Sequence, residues 1–123
     1  MMNKRQKAHR KGIWAERLAA LYLMLKGYKI LEMRYKTPVG EIDILAQKKN
    51  ALVAVEVKMR VALVDALEAV VPKSQLRIEK TIGYFLALNP EYSVCDVRFD
   101  VIAVQMRLPF LMRHLDNAWQ ART

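Results

Sequence analysis

Two short runs carry the chemistry this sequence offers. Gly40-Glu41-Ile42-Asp43 is followed, thirteen residues after Asp43, by Glu56-Val57-Lys58. On an extended strand side chains two apart share a face, which groups Glu41 with Asp43, Ile42 with Ile44, and Glu56 with Lys58. If the two strands pair through the short turn between them, Glu56 comes near Glu41 or Asp43, with Lys58 just beyond. Carboxylates held together repel, and partly buried they need a counter-charge. A divalent cation supplies it: Mg²⁺ takes one or two carboxylates together with water and a phosphate oxygen, and Mn²⁺ accepts the same donors. Such a cation acidifies water and stabilises charge on a phosphate, while a lysine holds the attacking water or the developing oxyanion. Asp43, Glu56 and the backbone carbonyl of Val57 are therefore candidate metal ligands, and Lys58 is the candidate catalytic cation.

The plain alternative is a solvated hairpin face, where Glu and Lys serve solubility and cross-strand pairing. One detail weighs against it. Glu56 and Lys58 interrupt the end of an apolar run, Ala51 to Val57, in a strand hydrophobic enough to be interior. Charge in an interior strand is costly unless it is paired or binds something.

The elements that must position these groups follow from periodicity. Ala15, Leu18, Ala19, Tyr22 and Leu25 recur at helical spacing within Gly12 to Lys26, and Gly27 supplies the stop. Tyr28 to Arg34 alternates as a half-buried or edge strand. After the turn Thr37-Pro38-Val39-Gly40 comes a strand over Glu41 to Ala46, then the polar turn Lys48-Lys49-Asn50 and the central strand Ala51 to Lys58. Asp65 to Val70 suits one or two helical turns, and Pro72 begins a longer helix to about Leu88. Cys95 to Gln105 reads as a fourth strand. In the tail, Leu111, Leu115 and Trp119 at i, i+4, i+8 suit a short terminal helix. The order α-β-β-β-α-β predicts an α/β protein with one mixed sheet flanked by helices.

Composition narrows the partners. The 123 residues carry 21 Lys and Arg against 12 Asp and Glu, a net charge of +9, which favours a polyanion such as nucleic acid. Much of the excess lies in residues 1–11, where Lys4, Arg5, Lys7, Arg10 and Lys11 suggest a mobile basic arm, either solubilising or phosphate-contacting, ahead of a single domain over 12–123. Lys73, Arg77 and Lys80 line one side of the long helix and could meet phosphates or simply be solvated. One cysteine, Cys95, and two histidines, His9 and His114, exclude an intrachain disulfide and argue against a Cys/His zinc site; both histidines read as incidental. The apolar stretch Leu18 to Leu25 is too short to span a bilayer and lacks a cleavage site after it, so no membrane anchor and a cytoplasmic location are expected.

Gly40-Glu41-Ile42-Asp43 with Val55-Glu56-Val57-Lys58-Met59-Arg60 resembles the signature of the YraN-like bacterial family, within the PD-(D/E)XK nuclease superfamily. The likeness runs from about Gly12 to Val104 and includes Gly27-Tyr28, the Ala69 to Gln75 segment and Arg98-Phe99-Asp100-Val101. It implies a restriction endonuclease-like αβββαβ core. Asp43 matches the superfamily aspartate, Glu56 and Lys58 match the (D/E)xK pair, Glu16 matches an acidic residue of the first helix that joins the metal site, and Gln75 matches a polar residue facing it. Glu41 is an auxiliary ligand or a charged strand end. Ile42 stands where the superfamily name has proline, and Met59 where the family suggests threonine; neither change removes a ligand.

The expected function is Mg²⁺- or Mn²⁺-dependent hydrolysis of DNA, structured or branched, at Asp43, Glu56 and Lys58. The archaeal Holliday junction resolvases, to which the superfamily likeness extends, act as dimers, so a homodimer is the assembly the resemblance allows. The rival expectation is a non-catalytic nucleic-acid-binding module on the same scaffold.

Overall fold

In the computed structural model, which describes residues 1–121, the chain runs α1 (Lys4–Leu25), β1 (Lys29–Thr37), β2 (Gly40–Lys48), β3 (Ala51–Lys58), α2 (Leu63–Ala69), α3 (Pro72–Leu88), a 3-10 turn (Pro90–Tyr92), β4 (Asp96–Gln105) and β5 (Leu111–Trp119). Residues 122 and 123, the end of the expected domain, lie outside the described residues. The strands form one sheet in the order β1-β2-β3-β4-β5. β1, β2 and β3 are antiparallel neighbours, β3 and β4 run parallel, and β5 returns antiparallel along β4. This mixed sheet flanked by helices contains the α-β-β-β-α-β order read from the sequence.

Alternation along β3 and β4 divides the core into two layers. Leu52, Ala54, Val101 and Ala103 pack against Ala66 of α2 and Ile78, Ile82 and Phe85 of α3. Val53, Val55, Ile102 and Val104 face the other way, against Ala15, Ala19 and Leu23 of α1. Each buried Val, Leu, Ile or Phe of these layers contributes about 1.5–3 kcal/mol relative to exposure. The small residues Ala15 and Ala19 let α1 lie close to the sheet, and Gly27, at φ +92°, turns the chain from α1 into β1 in a conformation that favours glycine.

Two expectations from periodicity are corrected. The helix that periodicity starts at Gly12 begins at Lys4, within the basic segment: Asn3 Oδ1 accepts from the Gln6 amide at 2.8 Å, and Gln6 Oε1 accepts from the Asn3 amide at 3.0 Å, a reciprocal cap that nucleates the helix ahead of its apolar face. The tail is a strand, not a helix. Leu111 to Trp119 adds to β4 as an edge, and Trp119 stacks on Phe99 with ring centroids 5.0 Å apart.

A third difference lies within β2. Ile42 joins the α2/α3 layer whereas Ile44 joins the α1 layer, although residues two apart on a regular strand share a face. The backbone therefore rotates at Asp43. The β2–β3 ladder extends only to the pair Ile44 and Val55, and beyond it side chains replace backbone partners.

Candidate active site

Where the ladder stops, Asp43 and Glu56 are laced together. The Val57 amide donates to Asp43 Oδ2 at 2.9 Å, and the Asp43 amide donates to Glu56 Oε2 at 3.3 Å. Each carboxyl group is thereby fixed by the other strand's backbone. Both lie in a cleft of about 720 Å³ whose walls are the β1–β2 turn, the ends of β2 and β3, and the first half of α3. Lys58 lines the same cleft, and its charge acts on both carboxylates.

Burial dominates the electrostatics. It raises Asp43 above the usual aspartate range, against the opposing effects of the Val57 N–H and Lys58. Glu56, 8% exposed, is raised well above the ordinary glutamate value, first by burial and then by the Asp43 charge. Without a cation the pair is thus disposed to retain a proton, as two close carboxyl groups in a low dielectric must. A bound divalent cation reverses that preference.

Glu16 reaches this end of the sheet from α1. Its carboxyl is pushed up to about 7, chiefly by burial and then by Asp43, while Arg34 of β1 opposes the shift from 3.5 Å. Among the described residues no group of three or more His, Cys, Asp or Glu side chains is gathered as a metal cage. The donors present still suit Mg²⁺, which uses one or two carboxylates and keeps several waters. Asp43 and Glu56 supply that number, and Val57 places its backbone beside them.

The remaining sequence candidates divide by position. Glu41 lines the cleft at its outer edge, exposed, opposite Lys36 in the β1–β2 register. Arg77 lines the α3 wall with Ser74, whereas Gln75 Nε2 donates to the Val70 carbonyl at 3.1 Å. Lys73 and Lys80 are exposed on α3 outside the cleft lining. Lys4, Arg5, Lys7, Arg10 and Lys11 are all exposed on the first turns of α1.

Lys36 is a cleft cation that sequence reasoning missed; it precedes the turn Thr37-Pro38-Val39-Gly40, and only the hairpin register discloses that it faces Glu41. Gly40, which closes the turn and opens the Gly40-Glu41-Ile42-Asp43 run, also sets the cleft's width. A Cβ there would lie 2.7 Å from Thr81 Oγ1 and 3.2 Å from the Arg77 carbonyl, so its bare backbone lets α3 approach the turn.

His114 is not incidental. Its Nε2 lies 2.8 Å from Asp100 Oδ2, and its Nδ1 lies 2.8 Å from Lys26 Nζ. The Lys26 ammonium can only donate, which leaves the imidazole proton on Nε2, directed at Asp100. Arg98 closes the same network with two hydrogen bonds of 2.9 Å to Asp100 and a further one to the Tyr28 hydroxyl. The buried aspartate is thus held by Arg98 on its own strand and by His114 and the Asn117 amide of the neighbouring strand β5, a cross-strand pairing with no local motif to signal it.

Residues 15–104 match the model of the Uncharacterised protein family UPF0102. A UPF0102 protein of Bradyrhizobium diazoefficiens is 47% identical over 116 residues, covering 94% of this chain and 86% of its own. One from Rhodopseudomonas palustris is 47% identical over 115 residues, covering 93% and 88%. One from Chelativorans is 44% identical over 119 residues, covering 96% and 94%.

Proposed function

Starting from the fact that the chain belongs to the bacterial UPF0102 family, we propose that it is a divalent-metal-dependent phosphodiesterase acting on DNA, with its centre at Asp43, Glu56 and Lys58. The observation that carries this reading is the interlaced Asp43–Glu56 pair, two carboxylates held by each other's strand in a cleft that also contains Lys58. Burying two carboxyl groups side by side is costly for a structural role and suited to binding a cation.

Asp43, Glu56 and the Val57 carbonyl would hold Mg²⁺ or Mn²⁺, which supplies Lewis-acid stabilisation of charge on a phosphate and acidifies water. The chain's own groups perform the rest. Lys58 neutralises charge that builds on the phosphate oxygens and orients the attacking water. Lys36 and Arg77, on opposite walls of the cleft, attract the flanking phosphates. Glu16, poised near neutral, accepts a proton or adds negative charge beside Asp43. The exposed cations of α1 track the backbone at longer range, with binding that weakens as salt rises. No base-reading element enters this scheme, so cleavage follows DNA shape rather than sequence.

The test is incubation of purified protein with Mg²⁺ or Mn²⁺ and a panel of junctions, flaps, duplexes and single strands. Cutting of at least one, abolished in a folded Glu56→Ala variant, is the expected result. A panel left intact with both metals rejects the hydrolytic reading.

A second reading is favoured by one observation, the exposed cations Lys4, Arg5, Lys7, Arg10 and Lys11 on α1, which can hold a phosphate backbone without any metal. It makes the chain a non-catalytic nucleic-acid-binding module. Salt-dependent binding would then need no metal, and Asp43→Ala would leave affinity unchanged or raise it.

A further inference from the structure

A second cavity, of about 320 Å³, opens at the same end of the sheet, between the residues that follow β3 and those that follow β4. Met59, Val104 and Met106 form an apolar floor, and Met59 and Met106 pack against the α1-side core. Lys11 from α1, Arg60 and Arg107 stand around it, all three exposed, and among the described residues no carboxylate lines it. The walls are tied down. Gln105 Nε2 donates to the Pro109 carbonyl at 2.9 Å, and Arg113 Nε donates to the Val61 carbonyl at 3.2 Å.

The two cavities are neighbours by construction. Lys58 lines the catalytic cleft, and the next two residues, Met59 and Arg60, line this one. Lys58 ends β3 lining the cleft while Met59 packs on the α1-side core, and the chain turns there, the Arg60 amide donating to the Lys58 carbonyl at 3.0 Å, so this one segment lies between the two cavities.

We propose that this second cavity binds one unpaired nucleotide of the strand whose phosphodiester lies at Asp43 and Glu56, an inference that rests on the nuclease reading of the first cleft. An apolar floor is a poor seat for a bare inorganic anion, and three cations without a carboxylate are a poor rim for a neutral apolar ligand. The combination matches a flat aromatic base joined to a phosphate. The base lies against the two methionines, whose polarisable sulfurs make favourable aromatic contacts, and the phosphate meets Arg60, Arg107 and Lys11. Bases within a duplex have their faces covered by stacked neighbours, so the occupant is an unpaired one.

Fluorescence anisotropy on a blunt duplex and on the same duplex with a three-nucleotide single-stranded overhang tests this, using the wild-type chain and the R60S/R107S double variant in metal-free buffer. The wild type should bind the overhang about tenfold more tightly, and the double variant should lose that preference while retaining its affinity for the blunt duplex. Losing two phosphate contacts to a single strand should also lower the slope of log affinity against log salt by about 1.4. Thermal melting checks folding, and R107S alone should show part of the loss if the double variant melts early. Equal wild-type affinity for the two DNAs, a preference that survives in the double variant, or no binding of either DNA overturns the proposal. Failure of the hydrolytic reading looks different: the overhang preference is present and removed by the double variant, yet neither DNA is cut with Mg²⁺ or Mn²⁺.

Discussion

Asp43 and Glu56 each hold the other through backbone rather than through long side chains: the amide of Asp43 donates to the Glu56 carboxyl, and the Asp43 carboxyl accepts from the amide beyond Glu56. Two consequences follow. The carboxyl positions are set by strand register, so little conformational entropy is lost when a cation arrives. The structure also keeps the two negative groups together in its absence, which stores repulsion that a cation or a proton relieves.

Acid and metal should therefore substitute for one another in stabilising the fold. Asp43 and Glu56 are both raised, mainly by burial, so their favourable contribution is complete below the unfolded carboxylate values near 4 and is lost as pH rises through their higher folded values. Melting in EDTA should show stability declining as pH rises above the unfolded carboxylate values near 4. Adding Mn²⁺ should raise the melting temperature by several degrees in alkaline buffer, and by progressively less as the pH is lowered and protons compete. E56Q should abolish the Mn²⁺ shift; a full shift in that variant would remove Glu56 from the metal site.

Glu16 gives a separate signal because its value lies near 7. Its contribution is present below about 4.5 and disappears as pH passes 7, so E16Q should flatten the pH dependence over that window and make the protein about 1–2 kcal/mol more stable at pH 8. Chemical denaturation at pH 6 and pH 8 measures this directly. If Glu16 takes part in proton transfer, the same variant also shifts the alkaline or acidic limb of the cleavage rate; a uniform scaling of the rate at every pH would assign it a purely electrostatic role.

The strands that carry the candidate site were legible in their local pattern. The two-residue spacing of Glu56 and Lys58 and the short turn between β2 and β3 fixed which strands meet, and the interruption of an apolar strand by charge marked the place. What the pattern could not carry was non-local. Spacings of four fit both a helix turn and two strand repeats, so Leu111, Leu115 and Trp119 did not distinguish β5 from a helix; pairing with β4 decides it. The rotation at Asp43 that sends Ile42 and Ile44 to opposite layers arises from side chains taking over the ladder, which alternation alone cannot anticipate. The helical start at Lys4 depended on a polar cap between Asn3 and Gln6, not on apolar periodicity.

The close approach of α3 to the β1–β2 turn should be sensitive to a single methyl group. Gly40 sits at φ +151°, and its added Cβ would meet both the buried Thr81 hydroxyl and the Arg77 carbonyl. Gly40→Ala should cost about 1–3 kcal/mol from strain and displace Arg77 from the cleft wall. Urea titration reads the first effect. The second should appear as weaker DNA binding with the Mn²⁺-induced thermal shift preserved, whereas loss of both would mean that the turn and the carboxylate pair move as one unit.

Asp100 should govern acid stability without governing metal binding. It is fully buried; burial by itself would raise its pKa, but hydrogen bonds from His114, Arg98 and the Asn117 amide outweigh that and hold it below the usual aspartate value. Its contribution is therefore present above pH 4 and lost as pH falls through the lowered value, the reverse of the Asp43–Glu56 pair. Asp100→Ala leaves Arg98 and His114 facing an empty partner position, a loss of about 3–5 kcal/mol for a broken buried ion pair. Denaturation curves at pH 7 and pH 3 should show that loss shrinking with acid. Because these groups stand on the α1 side of β4 and β5, away from the cleft, whatever folded fraction remains should keep the Mn²⁺ response; its disappearance would show that the network and the carboxylate pair are coupled through β3.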